Sequence, residues 1–363
     1  VGLHRGLRVQ GDGRLAAERT IRSPQWGCRE RPRHPFTSSS KVGRIKNYNC
    51  VRIKSPPNFI QILPTSSGMI FLSDNLSDGR TAMNGIILTE LRRSFAAEVT
   101  GIDLTETPKT EAEETLRRLH DRYPILIFPE QSLDPHQFVA FARIFGEIEI
   151  DTHVQQFSHP GLPELIYLSN RDVDDNPDPA SARRGSSWHS DSSYKANPCA
   201  HTALYALEVP SRGGGTIFAD MYHAYESLSQ DIKERIDGCN ARHLFSRGPA
   251  SGGFIPLTPG QEASLPQVKQ PVVRIHPSSG RKALYVNPLH TVEIMGMRRD
   301  ESDELLSLLF KHSVSPEMIY HHDWAPRQLV LWDQRCTMHR AEAAYSMTER
   351  RRLMRTKIAA RVA

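Results

Sequence analysis

The chain has 363 residues, a formal net charge of +5 at pH 7, 38% hydrophobic residues and 24% charged residues. This is the composition of a globular protein with enough chain for a sizeable core, and no apolar run approaches the ~18 residues of a membrane span. The five cysteines form no Cys-x-x-Cys pair, which favours a reducing compartment, and we expect a cytoplasmic protein without membrane association.

The positive charge is concentrated at one end of the chain. Residues 1–82 contain 14 Lys or Arg against 5 acidic residues, whereas residues 83–363 contain 32 against 36. The larger part is therefore slightly acidic and gives no electrostatic reason to expect nucleic acid as a partner.

Residues 1–82 are rich in Arg, Ser and Pro and show no sustained hydrophobic period, so we expect a disordered basic N-terminal extension. Two alternatives stay open. The segment could be an organelle-targeting sequence, because it is Arg-rich and poor in acids. It could also be translated upstream sequence, with the functional start near Met69 or Met83.

From residue 83 onward the pattern becomes that of a folded domain, predicted to span 83–363. Residues 85–104 read as strand and hairpin, 110–122 as an amphipathic helix, 124–129 as a buried strand between prolines, and 134–148 as a helix capped by Asp134.

Further short strands are predicted at 164–170, 202–209, 215–221, 270–277, 282–288, 317–324 and 327–334, with helices at 222–238 and 299–313. Many short strands without regular alternation of strand and helix predict a mainly β fold with flanking helices, built on a sandwich or barrel.

The stretch WHSDSSY places His189 and Asp191 two residues apart among small polar residues. In extended backbone, residues i and i+2 point to the same side, so both side chains can contact one metal ion. The pattern alone is weak evidence, because a second His-x-Asp pair occurs at His321 and Asp323. That pair lies inside a predicted strand and is interpreted as structural.

His339 follows the strand LVLWD and is the best candidate for a third, distant ligand. Two imidazoles and one carboxylate form the facial triad of non-haem iron enzymes, which leaves positions open for an oxo-acid and dioxygen. A second carboxylate on the oxo-acid needs a cation and a hydroxyl, and Arg351, Arg355 and Thr216 offer these groups.

Each of these residues also has an ordinary explanation. A His-x-Asp loop is commonly chance, His339 could be a hydrogen-bonded core residue, and the run of arginines at 350–352 could be a solvated face. The combination of His, Asp, Thr, His, Arg and Arg in this order is much less expected by chance than any one of them.

At these residues the sequence resembles the iron(II)- and 2-oxoglutarate-dependent dioxygenases that include taurine dioxygenase and dichlorophenoxyacetate dioxygenase. The resemblance runs from about Met83 to the C-terminus, through FARIFGEIE, WHSDSSYKANP, PSRGGGTIFADM, HPSSGRKALYVN, LVLWDQRCTMHRA and RRRLMRTKI. WHSDSSY followed by GGGT is more similar to the dichlorophenoxyacetate branch. The resemblance implies a double-stranded β-helix, or jelly-roll, core.

The resemblance also implies residue roles. His189, Asp191 and His339 would bind Fe(II), Thr216 and Arg351 would hold the distal carboxylate of 2-oxoglutarate, and Arg355 would face the substrate anion. Arg350 is a rival to Arg351, because the spacing from His339 is about one residue longer than expected. Asp151 and His153 are weaker substrate-binding candidates from a loosely matching stretch.

The implied reaction uses 2-oxoglutarate and O2 to hydroxylate a small organic anion and yields succinate and CO2. Aryloxyalkanoates come first as substrates, with taurine or alkylsulfonates as the alternative. Two interpretations from other classes stay open, a non-catalytic jelly-roll binding protein and a zinc hydrolase, although the latter leaves the arginines without a role. The oligomeric state also stays open, with a homo-oligomer as one alternative.

Overall fold

The computed structural model describes residues 61–65, 68–72, 80–83, 85–151, 154–245 and 268–360. The strands are β1 (Gln61–Thr65), β2 (Gly68–Leu72), β3 (Thr81–Met83), β4 (Ile86–Arg92), β5 (Ala96–Thr100), β6 (Ile125–Phe128), β7 (Ile148–Glu149), β8 (Ser158–His159), β9 (Leu162–Ser169), β10 (His201–Glu208), β11 (Thr216–Asp220), β12 (Asn240–His243), β13 (Val268–Pro271), β14 (Val273–Ile275), β15 (Lys282–Leu284), β16 (Thr291–Ile294), β17 (Ile319–His322), β18 (Leu329–Asp333), β19 (Thr337–Ala341) and β20 (Arg352–Ile358). The α-helices are α1 (Thr110–Arg122), α2 (Pro135–Arg143), α3 (Pro179–Ala182), α4 (Met221–Glu226), α5 (Gln230–Ile236) and α6 (Arg299–Ser313), and 3-10 turns lie at Gln155–Phe157 and Pro316–Met318.

Two sheets face each other and enclose the interior that holds the candidate site. The larger has ten strands in the order β3-β4-β5-β6-β18-β10-β20-β9-β8, with β7 paired to β20, and the smaller is β17-β11-β19. Side chains from both sheets meet between them, and the rings of Phe218 and Trp332 contact edge-to-face at 5.4 Å. This arrangement confirms the predicted mainly β, jelly-roll core.

Helices α1 and α2 cover the outer face of the larger sheet. Leu116 and Leu119 of α1 are buried, as their helical spacing predicted. Helix α2 begins with a capping box in which the Asp134 carboxylate and the Gln137 side chain each bond the other's backbone N–H, and this fixes where the helix starts. The all-apolar strand β6 is buried at every position, because it is covered on both faces.

Two predicted elements are divided in the structure. The predicted helix at 222–238 becomes α4 and α5, because Ser229 adopts extended backbone (φ −63°, ψ 155°) and begins a new helix. The predicted strand at 270–277 becomes β13 and β14, which pair with different partners, β12 and β15. The local apolar pattern does not reveal either break. The helix break depends on the backbone conformation of one residue, and the strand break depends on which neighbour each strand pairs with.

Part of the segment predicted to be disordered contains paired strands. Strands β1 and β2 form an antiparallel pair, and β3, which begins at Thr81, pairs with β4 at the edge of the larger sheet. Residues 1–60 lie outside the described residues, and the division of the chain near residue 82 stays a prediction. None of the helices in the described part is both long and apolar enough to cross a membrane.

Candidate active site

The two histidines of the predicted triad are joined through their backbones. His189 follows α3 in an irregular segment, and its N–H donates to the carbonyl of His339 at 2.9 Å, while the N–H of His339 donates back at 2.8 Å. His339 lies on β19, opposite Phe218 of β11. This two-bond bridge places the two imidazole rings side by side, with centroids 4.3 Å apart.

Asp191 faces both imidazoles. One carboxylate oxygen lies 3.8 Å from Nε2 of His189 and the other lies 4.0 Å from Nε2 of His339. One ligand atom from each of the three residues lies within 4.8 Å of the others. Ligands that each stand about 2.0–2.2 Å from one ion are separated by roughly 3–4 Å, so this donor set fits a single divalent cation.

The donor atoms are held in the form that binds metals. His189 Nδ1 donates to the Ser187 carbonyl at 2.8 Å, which leaves the lone pair on Nε2. Burial holds the pKa of His339 to about 3, so its ring is neutral at pH 7. Burial would raise the pKa of Asp191, but the positive charges of Lys357 and Arg355 hold it below its usual value.

Two residues that the sequence analysis missed orient the Asp191 carboxylate. Its Oδ2 accepts hydrogen bonds from Thr202 Oγ1 at 2.8 Å and from Gln334 Nε2 at 2.9 Å. The backbone N–H of Asp191 also donates to Gln334 Oε1 at 2.9 Å. Because the Thr202 and Gln334 donors fix Oδ2, the carboxylate keeps one orientation toward the imidazoles.

The residues expected to hold 2-oxoglutarate lie on the segments leading into β11 and β20. Thr216 opens β11, is buried, and accepts a hydrogen bond from Trp324 Nε1 at 3.0 Å. Arg351 lies directly before β20 and is half-buried, and its Nε donates to the Gly214 carbonyl at 2.7 Å. Trp324 is thus a further residue that the motif did not reveal.

Gly214 lets the loop before β11 approach Arg351 closely. Its φ is +71°, and a Cβ at this position would stand 2.8 Å from Pro210 Cγ and 3.2 Å from Arg351 Cδ. Asn170 holds the other side, because its Oδ1 accepts from the Arg351 N–H at 2.9 Å. The side chain of Arg351 is therefore held at the glycine turn, and its backbone is held by Asn170, directly after β9.

Arg350, the rival candidate, faces the opposite way. Its guanidinium pairs with Asp175 and lies 3.6 Å from Glu208, and its side chain is 49% exposed. The adjacent residues point to opposite sides of extended backbone, so Arg351 is the one that faces the interior.

Arg355 lies in β20 and contacts Asp151, one of the two weaker substrate-binding candidates. Its Nη2 stands 3.2 Å from Asp151 Oδ2, and Lys357 Nζ, two residues further along the strand, stands 2.8 Å from the same oxygen. Burial would raise the pKa of Asp151, but the Lys357 and Arg355 charges lower it below its ordinary value. Lys357 was missed, although its i+2 spacing from Arg355 was a signal for the same face. His153 lies outside the described residues.

The second His-x-Asp pair is not part of a site. His321 and Asp323 are both exposed on and beside β17, and neither belongs to the clusters of metal-ligand geometry found in the described residues. Its interpretation as structural stays a prediction.

A second buried cluster lies behind the triad. His120 Nε2 contacts His201 Nδ1 at 2.9 Å, and His276 Nε2 lies 3.0 Å from Asp333 Oδ2. The guanidinium of Arg335 bonds both carboxylate oxygens of Asp333, so that charge is already compensated. We interpret this cluster as a structural network that fixes the chain positions next to Thr202 and Gln334.

Comparisons with known proteins agree with this geometry. A family model described as "Taurine catabolism dioxygenase TauD, TfdA family" matches residues 88–357. The chain is 33% identical, over 74% of its length and 96% of the relative's, to an alpha-ketoglutarate-dependent 2,4-dichlorophenoxyacetate dioxygenase of Cupriavidus pinatubonensis. It is 35% identical, over 75% of its length and 94% of the relative's, to a (S)-phenoxypropionate/alpha-ketoglutarate-dioxygenase of Sphingobium herbicidovorans.

A solved structure of AAD-2 in complex with Mn(II) and N-oxalylglycine superposes with a TM-score of 0.67 at 31% identity, covering 76% of this chain and 97% of that one. A taurine dioxygenase from Burkholderia xenovorans superposes with a TM-score of 0.63 at 30% identity, covering 77% of this chain and 90% of that one. With a jelly-roll core, a two-histidine, one-aspartate cluster and a family match across most of its length, the chain belongs to the TauD, TfdA family of dioxygenases and is a 2-oxoglutarate-dependent enzyme.

Proposed function

We propose that this protein is an Fe(II)-dependent dioxygenase that uses 2-oxoglutarate and O2 to hydroxylate a small organic anion of the aryloxyalkanoate class. The observation that carries the proposal is the convergence of His189, Asp191 and His339, with neutral imidazole nitrogens facing one oriented carboxylate. The relatives named for phenoxyalkanoates support the substrate class.

A ferrous ion held by His189, Asp191 and His339 would supply the oxidising chemistry, with 2-oxoglutarate and O2 as co-substrates. The protein's contribution is to hold and orient. Thr202 and Gln334 keep the carboxylate of Asp191 in place, and the Ser187 carbonyl keeps the proton of His189 on Nδ1. These contacts fix the ligand atoms before the ion binds, which reduces the ordering cost.

Arg351 and Thr216 would bind the distal carboxylate of 2-oxoglutarate. The guanidinium is planar, stays charged when buried and can bond a carboxylate in two places, and Gly214 and Asn170 hold the arginine in position. Trp324 occupies one lone pair of the Thr216 hydroxyl by donating to it, so the hydroxyl proton is available for an acceptor.

Arg355 would bind the anionic head of the substrate, so that a C–H bond of the attached carbon points toward the metal position. Such positioning is the main contribution a protein makes when a cofactor carries out the bond breaking. Asp151 is proposed to act at the same place, and His153 stays a prediction.

The experiment is substrate-dependent succinate formation from 2-oxoglutarate with Fe(II) and ascorbate, across phenoxyacetates, phenoxypropionates and alkylsulfonates. We expect turnover of aryloxyalkanoates, weaker turnover of sulfonates, and loss of turnover in His339→Ala. Failure of every anion with a protein that binds iron near one equivalent would overturn the substrate class, and failure to bind iron would overturn the enzyme mechanism.

A further inference from the structure

A buried carboxylate lies between two cations on the interior face of β20. Asp151 Oδ2 contacts Lys357 Nζ at 2.8 Å and Arg355 Nη2 at 3.2 Å, and the exposed fractions of these side chains are 7%, 5% and 17%. Lys357 pairs through its backbone with Thr202, which holds the Asp191 carboxylate, and Lys357 Nζ lies 3.5 Å from Ser192 Oγ. The three charges therefore border the metal triad.

The charges in this group do not cancel. Two cations face one carboxylate, which leaves one net positive charge. The nearby cations have other partners: Lys195 pairs with Glu149, and Arg184, which stacks on Phe157 at 4.0 Å, lies in the field of Asp178. The Asp191 carboxylate also lies in the field of Lys357 and Arg355, but a metal ion held by His189, Asp191 and His339 would compensate that charge. With such an ion bound, the excess positive charge of the group is not neutralised by the other residues around it.

Two hydrogen-bonding atoms of the group are buried without a partner among the described residues: Arg355 Nε, a donor, and Asp151 Oδ1, an acceptor. An unpaired buried polar atom costs about 1–3 kcal/mol, so it is a place where a ligand can be stabilised. An anionic oxygen satisfies the guanidinium donor, while Asp151 stays as a fixed negative charge beside it.

We propose that Asp151 and Lys357 set the charge of the substrate head that Arg355 binds. Lys357 compensates Asp151, Arg355 supplies the one remaining positive charge, and the site accepts a monoanion such as a carboxylate or sulfonate while it rejects a dianion such as a phosphonate. The inference rests on the proposed function, because it concerns the substrate of the same site. Lys357 is a specificity-determining residue that no motif indicated.

The test compares phenoxyacetate, phenoxymethanesulfonate and phenoxymethylphosphonate as substrates of the iron-loaded full chain, at a pH well above the second pKa of the phosphonate. The variants are Asp151→Asn, Lys357→Gln and their combination. The matched control is Glu164→Gln, which removes an exposed pair with Arg143 at 2.8 Å. Calorimetric binding of the same three compounds without 2-oxoglutarate gives a second readout that does not depend on turnover.

Asp151→Asn is expected to raise the phosphonate-to-carboxylate ratio of kcat/KM and of affinity by about tenfold or more, because one added positive charge favours the dianion. Lys357→Gln should lower kcat/KM and affinity for both monoanions by about tenfold, because the group of Asp151, Lys357 and Arg355 then has no net charge. The double variant regains the parent's net charge and should regain its preference for monoanions. If the ion pair were purely structural, each single variant would instead lower kcat/KM and affinity for all three compounds by the same factor.

Unchanged ratios in a folded, iron-binding Asp151→Asn protein would overturn the inference and leave the proposed function intact. If Asp151→Asn does not fold, Lys357→Gln decides alone. An equal loss of affinity for charged phenoxyacetate and for its uncharged amide in that variant would overturn the inference. A parent protein that neither binds nor turns over any of the three anions would instead count against the proposed function.

Discussion

His189 and His339, which are far apart in sequence, exchange two backbone hydrogen bonds of 2.9 and 2.8 Å, so that the third predicted ligand is held beside the first by main-chain pairing. Main-chain bonds do not depend on side-chain identity. Replacing either imidazole should therefore remove a ligand without moving the segment that carries the other.

The first prediction uses the two His-x-Asp pairs as site and control. His339→Ala and Asp191→Ala should each lose iron from near one equivalent to a small fraction, because two ligands hold a divalent ion far more weakly than three. His321→Ala removes an exposed histidine and should keep the parent's iron content. The measurement is metal content by mass spectrometry after anaerobic reconstitution; iron loss in His321→Ala would contradict the assignment of ligands.

The second prediction concerns the support of Asp191. Thr202→Val keeps the side-chain shape but removes the donor 2.8 Å from Oδ2. Metal affinity should fall roughly 10- to 100-fold, as is common when an outer hydrogen bond to a ligand is removed. Competition with a chelator measures this, and Thr105→Val, at a half-buried position in the loop after β5, is the control. An unchanged affinity would show that Gln334 alone orients the carboxylate.

The third prediction separates the two neighbouring arginines. Arg351→Gln should raise the KM for 2-oxoglutarate by at least about 100-fold, because a bidentate pair between a guanidinium and a carboxylate inside a binding site contributes several kcal/mol. Arg350→Gln removes surface pairs with Asp175 and Glu208 and should change the KM little. The reverse result, with Arg350 as the sensitive residue, would reject the placement of the co-substrate.

The fourth prediction tests the glycine turn against Arg351. Gly214→Ala puts a methyl group 3.2 Å from Arg351 Cδ, whereas Gly238→Ala, at a similar φ of +68°, has open space around its Cβ. Both variants bear the strain of a positive φ, but Gly214→Ala also brings a methyl group 2.8 Å from Pro210 Cγ, so it should lose more stability than Gly238→Ala. Gly214→Ala alone should raise the KM for 2-oxoglutarate, by roughly tenfold, since displacement of an anchoring group weakens binding of its ligand. Equal KM values in the two variants would exclude the contact as a determinant.

The fifth prediction concerns stability at acid pH. Burial lowers the pKa of His322 from its ordinary value of 6.5 to about 4, so the unfolded chain binds this proton more readily than the folded protein. The stabilisation is complete above pH 6.5 and is lost as the pH falls toward 4, with a slope from this residue of at most about 1.4 kcal/mol per pH unit. His322→Gln should reduce the pH dependence of the free energy of unfolding, measured by urea denaturation between pH 6.5 and 4. An unchanged slope would mean that other buried histidines account for the acid sensitivity.

Elements with a strong local signal were predictable. The spacing of Leu116 and Leu119 predicted the buried face of α1, and Asp134 followed by a helical pattern predicted the start of α2. The division of residues 222–238 into two helices was not predictable, because it depends on the extended backbone at Ser229 and not on composition.

The sequence by itself determined the family pattern, the order of the candidate ligands and the apolar strands that form the core, because these follow from residue identity and spacing. It could not distinguish His189-x-Asp191 from His321-x-Asp323 by chemistry alone, nor Arg351 from Arg350. Only the tertiary structure shows that the first pair lies beside His339 while the second is exposed, and that Arg350 pairs with Asp175, since exposure and strand pairing determine which side chains face the interior. The same holds for Lys357, Thr202 and Gln334, which become neighbours of Asp191 or Asp151 only when distant strands pair.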